Sequence, residues 1–302
     1  MNHGLIAIDW GTSSLRGARL DADGAVLEER SFGAGILTVP PGGFPGAFER
    51  YFGDWAATPD TLCLLAGMVG SRQGWVEAPY MACPAGRADI AAQLTWIEHG
   101  RIAIVPGLSC EHDGAPDVMR GEETQVFGAL QMLGLSDAPG ATLVLPGTHS
   151  KWVQVEAGRV TRFETSMTGE FYALLRRHSI LARTLPADDG TFEGAAFDAG
   201  VAQSLRGNGL LQAAFSVRTL ALFERLPEAQ RPSYLSGIVI GEELRARALQ
   251  RRDDGDAVVV IGAPSLTQRY ERALASLRVR TASLGSQATW RGLFDIASTL
   301  DP

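Results

Sequence analysis

Asp9 stands at the end of an apolar run, "IAID", and is followed after Trp10 by the turn Gly11, Thr12, Ser13 and Ser14. Backbone N–H groups and hydroxyls gathered in one tight turn form a concave donor set suited to phosphate oxygens. A carboxylate beside such a turn can hold a Mg2+ ion that bridges those phosphates. The same residues also read as an ordinary hairpin with an Asp cap. The pattern returns in "LVLPGTHSK", where Gly147 lies 136 residues after Gly11 and is followed by Thr148, His149, Ser150 and Lys151. Two Gly-Thr hairpins can grip one polyphosphate from two sides. Lys151 is long enough to reach a phosphate, but it alternates with Val153 and Val155 as a snorkelling structural lysine does. His149 has no assigned role.

A second chemistry is suggested by "RGEETQ", which places Glu122 and Glu123 at a helix N-terminus, where the macrodipole favours an ionised carboxylate. Glu122, Val126, Leu130 and Leu133 fall on one stripe, so Glu122 is expected to face packed structure while Thr124 and Gln131 face away. Such a carboxylate can accept the proton of an attacking hydroxyl in phosphoryl transfer. First-turn acidic residues that only cap a helix are the plainer alternative. A third group follows Gly70: Ser71, Arg72, Gln73, Gly74 and Trp75. An arginine fork beside an aromatic plate recognises a polyhydroxylated acid, although Arg72 also reads as a surface charge and Trp75 as a core residue. Glu242 and Glu243 repeat the "GEE" string and are expected to start a helix. His3, His99, His112 and His178 are isolated, and nothing marks them as ligands.

The elements that must position these groups come in a duplicated pattern. Strands are expected at 5–9, 15–20 and 26–30, and again from Leu143 through "LVLP", "KWVQVE" and "RVTRFET". Two such meanders, each opening on a Gly-Thr hairpin, imply one copy per lobe. In the first half, helices are expected at 44–57, 87–99 and 122–133, with strands at 61–70 and 101–107. In the second, helices are expected at 169–181, 198–206, 210–224, 234–250, 265–275 and 287–300, with strands at 257–264 and in "VRTAS". The fold class is therefore α/β. The junction is placed at "GLSDAPG", dividing the chain into 1–134 and 135–302.

Bulk composition narrows the class. The 302 residues are 45% hydrophobic and 20% charged, an ordinary globular mixture with room for two domains. Lys plus Arg number 27 against 34 Asp plus Glu, a net charge of -7, and no basic block offers a footprint for nucleic acid. Cys63, Cys83 and Cys110 have no CxxC spacing, so neither a disulfide framework nor a zinc site is expected. No basic leader and no apolar run near the roughly 18 residues of a membrane span is present, so a cytoplasmic chain without membrane attachment is expected. Neither a P-loop nor a GxGxxG turn after a strand occurs.

On these motifs the chain resembles the actin, Hsp70 and sugar-kinase superfamily. "AIDWGTSSLRGARLDADGAV" looks like its first phosphate motif, "LVLPGTHSKWVQVEAGRV" like its second, "VVVIGAPSLTQRYERAL" like its adenosine motif and "QATWRGLFDIA" like the helix that follows. The resemblance implies two ribonuclease H-like lobes with an ATP cleft between them. It also implies phosphate contacts at Gly11, Thr12, Ser13, Gly147, Thr148 and Lys151, adenosine contacts at Gly262, Ala263 and Pro264, and Mg2+ ordered by Asp9. Carbohydrate kinases of this superfamily carry an acidic "GD(Q/N)" where this chain has Gly121, Glu122 and Glu123, so the base is either Glu122 or Glu123.

Together with "MVGSRQGWVEAPY", "VPGL" and "SGIVIGEEL", these segments resemble the 2-dehydro-3-deoxygalactonokinase family over nearly the whole chain. That resemblance implies ATP-dependent phosphorylation of the 6-hydroxyl of 2-dehydro-3-deoxy-D-galactonate, with the sugar acid held by Ser14, Ser71, Arg72, Gln73 and Trp75. The partners implied are the sugar acid and ATP, not nucleic acid or membrane, with a homo-oligomer left open. Three rival readings remain at this stage. They are a kinase of a related acid such as 2-dehydro-3-deoxygluconate, a non-catalytic ATP- and sugar-binding regulator, and an ATP-gated filament or chaperone domain.

Overall fold

A computed structural model describes residues 4–58, 61–247 and 257–300. His3 and the end of the expected helix 234–250 past Arg247 lie outside the described residues.

The first meander forms as expected from β1 (Leu5–Trp10), β2 (Leu15–Leu20) and β3 (Val26–Phe32). β1 is buried on both faces apart from Asp9, because β2 pairs with it antiparallel on one side and β4 (Leu62–Ala66) parallel on the other. Between them α1 (Phe44–Phe52) lays Phe44, Phe48 and Phe52 on the core at a spacing of four residues. The apolar run expected as one strand over 61–70 ends at Ala66, and Met68–Gly70 is a 3-10 turn.

Next come β5 (Tyr80–Ala82), β6 (Ala85–Gly86), α2 (Arg87–Ala92), β7 (Thr95–Glu98) and β8 (Ile102–Ile104). The helix expected over 87–99 is thus only its first half. Thr95, Trp96 and Ile97 are β-branched or aromatic and extend antiparallel along β8. β9 (Gly107–His112) and β10 (Ala115–Met119) form a hairpin that the periodicity does not reveal, turned at Asp113 and Gly114, both at positive φ. β5 joins it in a three-stranded sheet of order β10-β9-β5.

α3 (Glu122–Met132) leads to β11 (Ala141–Leu145), β12 (Ser150–Glu156) and β13 (Arg159–Ser166). Then follow α4 (Thr168–His178), α5 (Gly194–Ser204), α6 (Leu210–Leu222), α7 (Arg231–Ala246), β14 (Val258–Ile261), α8 (Pro264–Ser276), β15 (Thr281–Leu284) and α9 (Gln287–Ala297). The two large sheets run β3-β2-β1-β4-β8-β7 and β15-β14-β11-β12-β13-β6. In each, a three-strand meander is continued at its first strand, which repeats one plan and matches the duplication in the sequence.

The compact units are discontinuous in sequence: 1–143, 153–164 and 284–302 form one, and 144–152 with 165–283 the other. The sequence reading cuts the chain once, after residue 134. The compact units need more than one cut, because α9 packs on α3 in the first unit rather than with the residues that precede it. α3 and α9 approach so closely that a Cβ at Gly128 would lie 1.8 Å from the Ala288 carbonyl, and one at Gly292 1.8 Å from that of Thr124. The second unit repeats the device, with Gly237 against the Phe197 carbonyl and Gly200 against that of Tyr234, both at 2.1 Å. Among the described residues no helix is long and apolar enough to cross a membrane.

Candidate active site

In the first unit the hairpin between β1 and β2 is tied from behind. Gly11 N–H donates to the Ser14 carbonyl (2.9 Å), while Ile36 and Leu37 donate to the carbonyls of Gly11 (3.0 Å) and Thr12 (3.3 Å). Thr12, Ser13 and Ser14 stay exposed. Asp9 is half-buried and ion-paired with Arg16, its register partner on β2. Its Oδ1 faces Gly67, where a Cβ would come within 3.2 Å, so the missing side chain keeps that oxygen clear.

The start of α3 is a compact knot. Gly121 precedes it at φ 105°, a conformation that glycine alone adopts readily. Glu123 turns both carboxylate oxygens back to the Gly121 N–H (2.9 and 2.7 Å), Glu122 Oε2 accepts from the Arg120 N–H (3.0 Å), and Thr124 Oγ1 donates to the Gly121 carbonyl (2.7 Å). The buried side of α3 differs from the stripe that periodicity predicts. Glu123 and Thr124 are fully buried, Glu122 is half-buried, and Leu133 is exposed, because α9 covers a second side of the helix. Burial pushes the Glu123 carboxyl up to about 8, with the neighbouring Glu122 charge adding to the effect and the backbone donors opposing it. Of the pair, Glu122 has the more accessible carboxylate.

Ser71 to Trp75 form a tight turn, with Gly74 N–H donating to the Ser71 carbonyl (2.9 Å) and Trp75 N–H to that of Val69 (2.8 Å). Arg72 and Gln73 are exposed, and Arg72 Nε donates to Glu77 Oε1 (3.2 Å). Trp75 is half-buried, its ring 5.6 Å from that of Phe48 at the edge of the core. Arg120, which the sequence reading passed over, joins this region to α3. Its Nη2 donates to the Ala78 carbonyl (2.7 Å) and its guanidinium lies 4.3 Å from the Tyr80 ring centre. The signal for it was slight, one basic residue in front of the "GEE" string. A cavity of about 210 Å³ in this unit lies beside Arg87, Asp89, Arg159 and Asp295, and none of the candidate catalytic or binding residues lines it.

In the second unit the turn Gly147–His149 links β11 to β12. Glu170 N–H donates to the Thr148 carbonyl (3.0 Å), and His149 Nε2 meets Glu170 Oε2 at 2.6 Å. Lys151 is buried and donates to Thr165 Oγ1 (2.8 Å). Ala263 caps α8, Pro264 is its first residue, and both are exposed. A cavity of about 70 Å³ lies among Gly147, Tyr172, Val239, Ile240, Leu266 and Arg269, close to both segments. At Gly11, Gly147 and Gly262 φ is not positive, and the nearest atom to an added Cβ is 3.6, 3.8 and 3.6 Å away. Neither backbone strain nor packing asks for glycine there.

Glu243 overturns its expected role. It sits near the C-terminal end of α7, not at a helix start, and its buried carboxylate accepts from Ser150 Oγ (2.7 Å), Trp152 Nε1 (2.5 Å), Tyr270 Oη (2.7 Å) and Thr168 Oγ1. Burial, and then the Glu243 charge, raise the Tyr270 phenol well above its ordinary range. Glu242 pairs with Arg245 (2.6 Å) on the helix surface.

The duplicated α/β sheets define a fold class, the one shared by actin, Hsp70 and sugar kinases. An activator of 2-hydroxyisocaproyl-CoA dehydratase from Clostridium difficile, solved with bound ADPNP, superposes at a TM-score of 0.50 with 12% identity, over 98% of this chain and 96% of that one. Residues 9–296 match the profile of the 2-keto-3-deoxy-galactonokinase family, and the chain belongs to that family. The Escherichia coli (strain K12) 2-dehydro-3-deoxygalactonokinase is 36% identical over 296 residues, 97% of each chain. A crystal structure from Sinorhizobium meliloti, of a protein provisionally assigned the same activity, superposes at a TM-score of 0.90 with 35% identity over 99% of both chains.

Proposed function

We propose that this protein is an ATP-dependent phosphotransferase acting on an alcohol, the 6-hydroxyl of 2-dehydro-3-deoxy-D-galactonate, giving the 6-phosphate and ADP. Family membership across residues 9–296 carries the reading, and the geometry of both units agrees with it.

ATP supplies the phosphoryl group. The turns at Gly11–Ser13 and Gly147–Thr148 each receive phosphate oxygens on backbone N–H groups and hydroxyls, and the open glycine positions leave room for them. Gly262, Ala263 and Pro264, beside the 70 Å³ cavity, receive the adenosine. Among the described residues no group of three or more His, Cys, Asp or Glu is placed to hold a metal. A single carboxylate, Asp9, suits a Mg2+ ion whose other ligands are phosphates and water. Ser71, Arg72 and Gln73 recognise the acid, with Ser14 and the open side of Trp75 completing the contact. Glu122 accepts the proton of the 6-hydroxyl.

The test is enzyme-coupled ADP release with 2-dehydro-3-deoxygalactonate and its gluconate epimer as paired acceptors, with the phosphate located by NMR. Turnover of the galactonate acid, phosphorylated on carbon 6, is the expected result. ADP release that neither acid raises above the background ATPase rejects the reading.

A further inference from the structure

We propose that Glu243 is a positioning residue for nucleotide binding, its carboxylate holding the second hairpin and the helix behind it in the geometry that receives phosphates. The proposal rests on the reading of Gly147 and Thr148 as a phosphate turn.

The four donors to this carboxylate come from different stretches of chain. Ser150 (2.7 Å) closes the hairpin, and Trp152 (2.5 Å) lies two residues further along β12. Thr168 opens α4, the helix that backs the hairpin. There is no room between them: a Cβ at Gly169 would lie 2.4 Å from the Gly147 carbonyl, and Glu170 N–H already donates to that of Thr148 (3.0 Å). Tyr270 (2.7 Å) lies on α8, the helix led by Gly262, Ala263 and Pro264. The hairpin, its backing helix and the adenosine helix therefore converge on one side chain of α7. Thr168 and Tyr270 also line the 70 Å³ cavity beside Gly147.

The direction of each of these hydrogen bonds fixes the donor that makes it. An apolar residue would fill the same volume without orienting any of them. The carboxylate thus sets where the hairpin stands, not merely that the unit is packed. Sequence alone hides this, because Ser150, Thr168 and Tyr270 lie 93, 75 and 27 residues from Glu243.

Steady-state kinetics on Glu243→Gln, Glu243→Asp and Gly147→Val, with the melting temperature of each, test the idea. A Cβ added at Gly147 meets nothing nearer than 3.8 Å, so Gly147→Val crowds whatever the hairpin holds, and its melting temperature reports whether the fold is kept. For folded Glu243→Gln the expected result is a KM for ATP raised roughly tenfold or more, a KM for the sugar acid within about twofold of wild type, and an intermediate effect of Glu243→Asp. An unchanged KM for ATP in folded Glu243→Gln, whatever its melting temperature, overturns the proposal. If Gly147→Val raises the KM for ATP and Glu243→Gln does not, the phosphate turn stands and only the role of Glu243 fails. If neither variant moves it, the reading of the turn fails as well. Should Glu243→Gln not fold, Thr168→Val and Tyr270→Phe each remove one donor hydroxyl. A KM for ATP raised by both supports the proposal, and one raised by neither rejects it.

Discussion

Glu122 and Glu123 are adjacent and chemically identical, yet their surroundings give them different tasks. Glu123 is sealed beneath the start of α3 and pushed up to about 8, so it is largely protonated at neutral pH, whereas half-buried Glu122 can reach a substrate. Glu122→Gln is therefore expected to lower kcat by roughly 10²-fold or more with little change in either KM. Wild-type kcat in that variant removes it as the base. For Glu123 the unfolded chain gives up its proton near 4.5 and the folded chain near 8. Between those values the folded form binds more protons, so this group costs stability progressively as pH rises. Melting temperatures measured across this range should fall less steeply for Glu123→Gln than for wild type. Parallel curves reject the assignment. The sequence already marked the pair as an acidic helix start. It could not rank the two, because the burial of Glu123 comes from packing that its neighbours in sequence do not show.

Strands are legible in the sequence where their signal is local. Alternation of side chains and a Gly-Thr turn suffice to locate a hairpin, and both Gly-Thr turns stand where the residues put them. Elements determined by distant partners are less legible there. β7 looks like the end of a helix until β8 pairs with it, and the hairpin of β9 and β10 has only the Asp-Gly turn to announce it. The seat of α3 is likewise a property of two helices. Adding one methyl at Gly128 puts it 1.8 Å from the Ala288 carbonyl. Overpacking of this kind costs about 1–3 kcal/mol, so Gly128→Ala should melt several degrees below wild type. Because the same helix carries Glu122, kcat at a temperature where the variant is folded should fall too. A variant with wild-type melting temperature and kcat contradicts the packing.

For the whole protein, a ligand that binds only the folded state must stabilise it. ATP with Mg2+ at a hundred times its Kd adds about 2.7 kcal/mol, and the sugar acid should add its own increment. Calorimetry with each ligand separately checks this, and a melting temperature indifferent to ATP counts against a nucleotide site. The chain carries a net charge of -7, yet both proposed ligands are anions, so their recognition has to come from local donors such as the two turns and Arg72 rather than from the overall field. By itself the sequence determined the α/β class, the duplicated meanders, the two hairpins, the acidic start of α3 and the family, because each is written in neighbouring residues or in their order along the chain. Tertiary structure alone decided which glutamate is buried, that Arg120 braces the loop beside α3, and that Glu243 gathers donors from β12, α4 and α8. Those features depend on groups far apart in the chain that meet only when the sheets and helices pack.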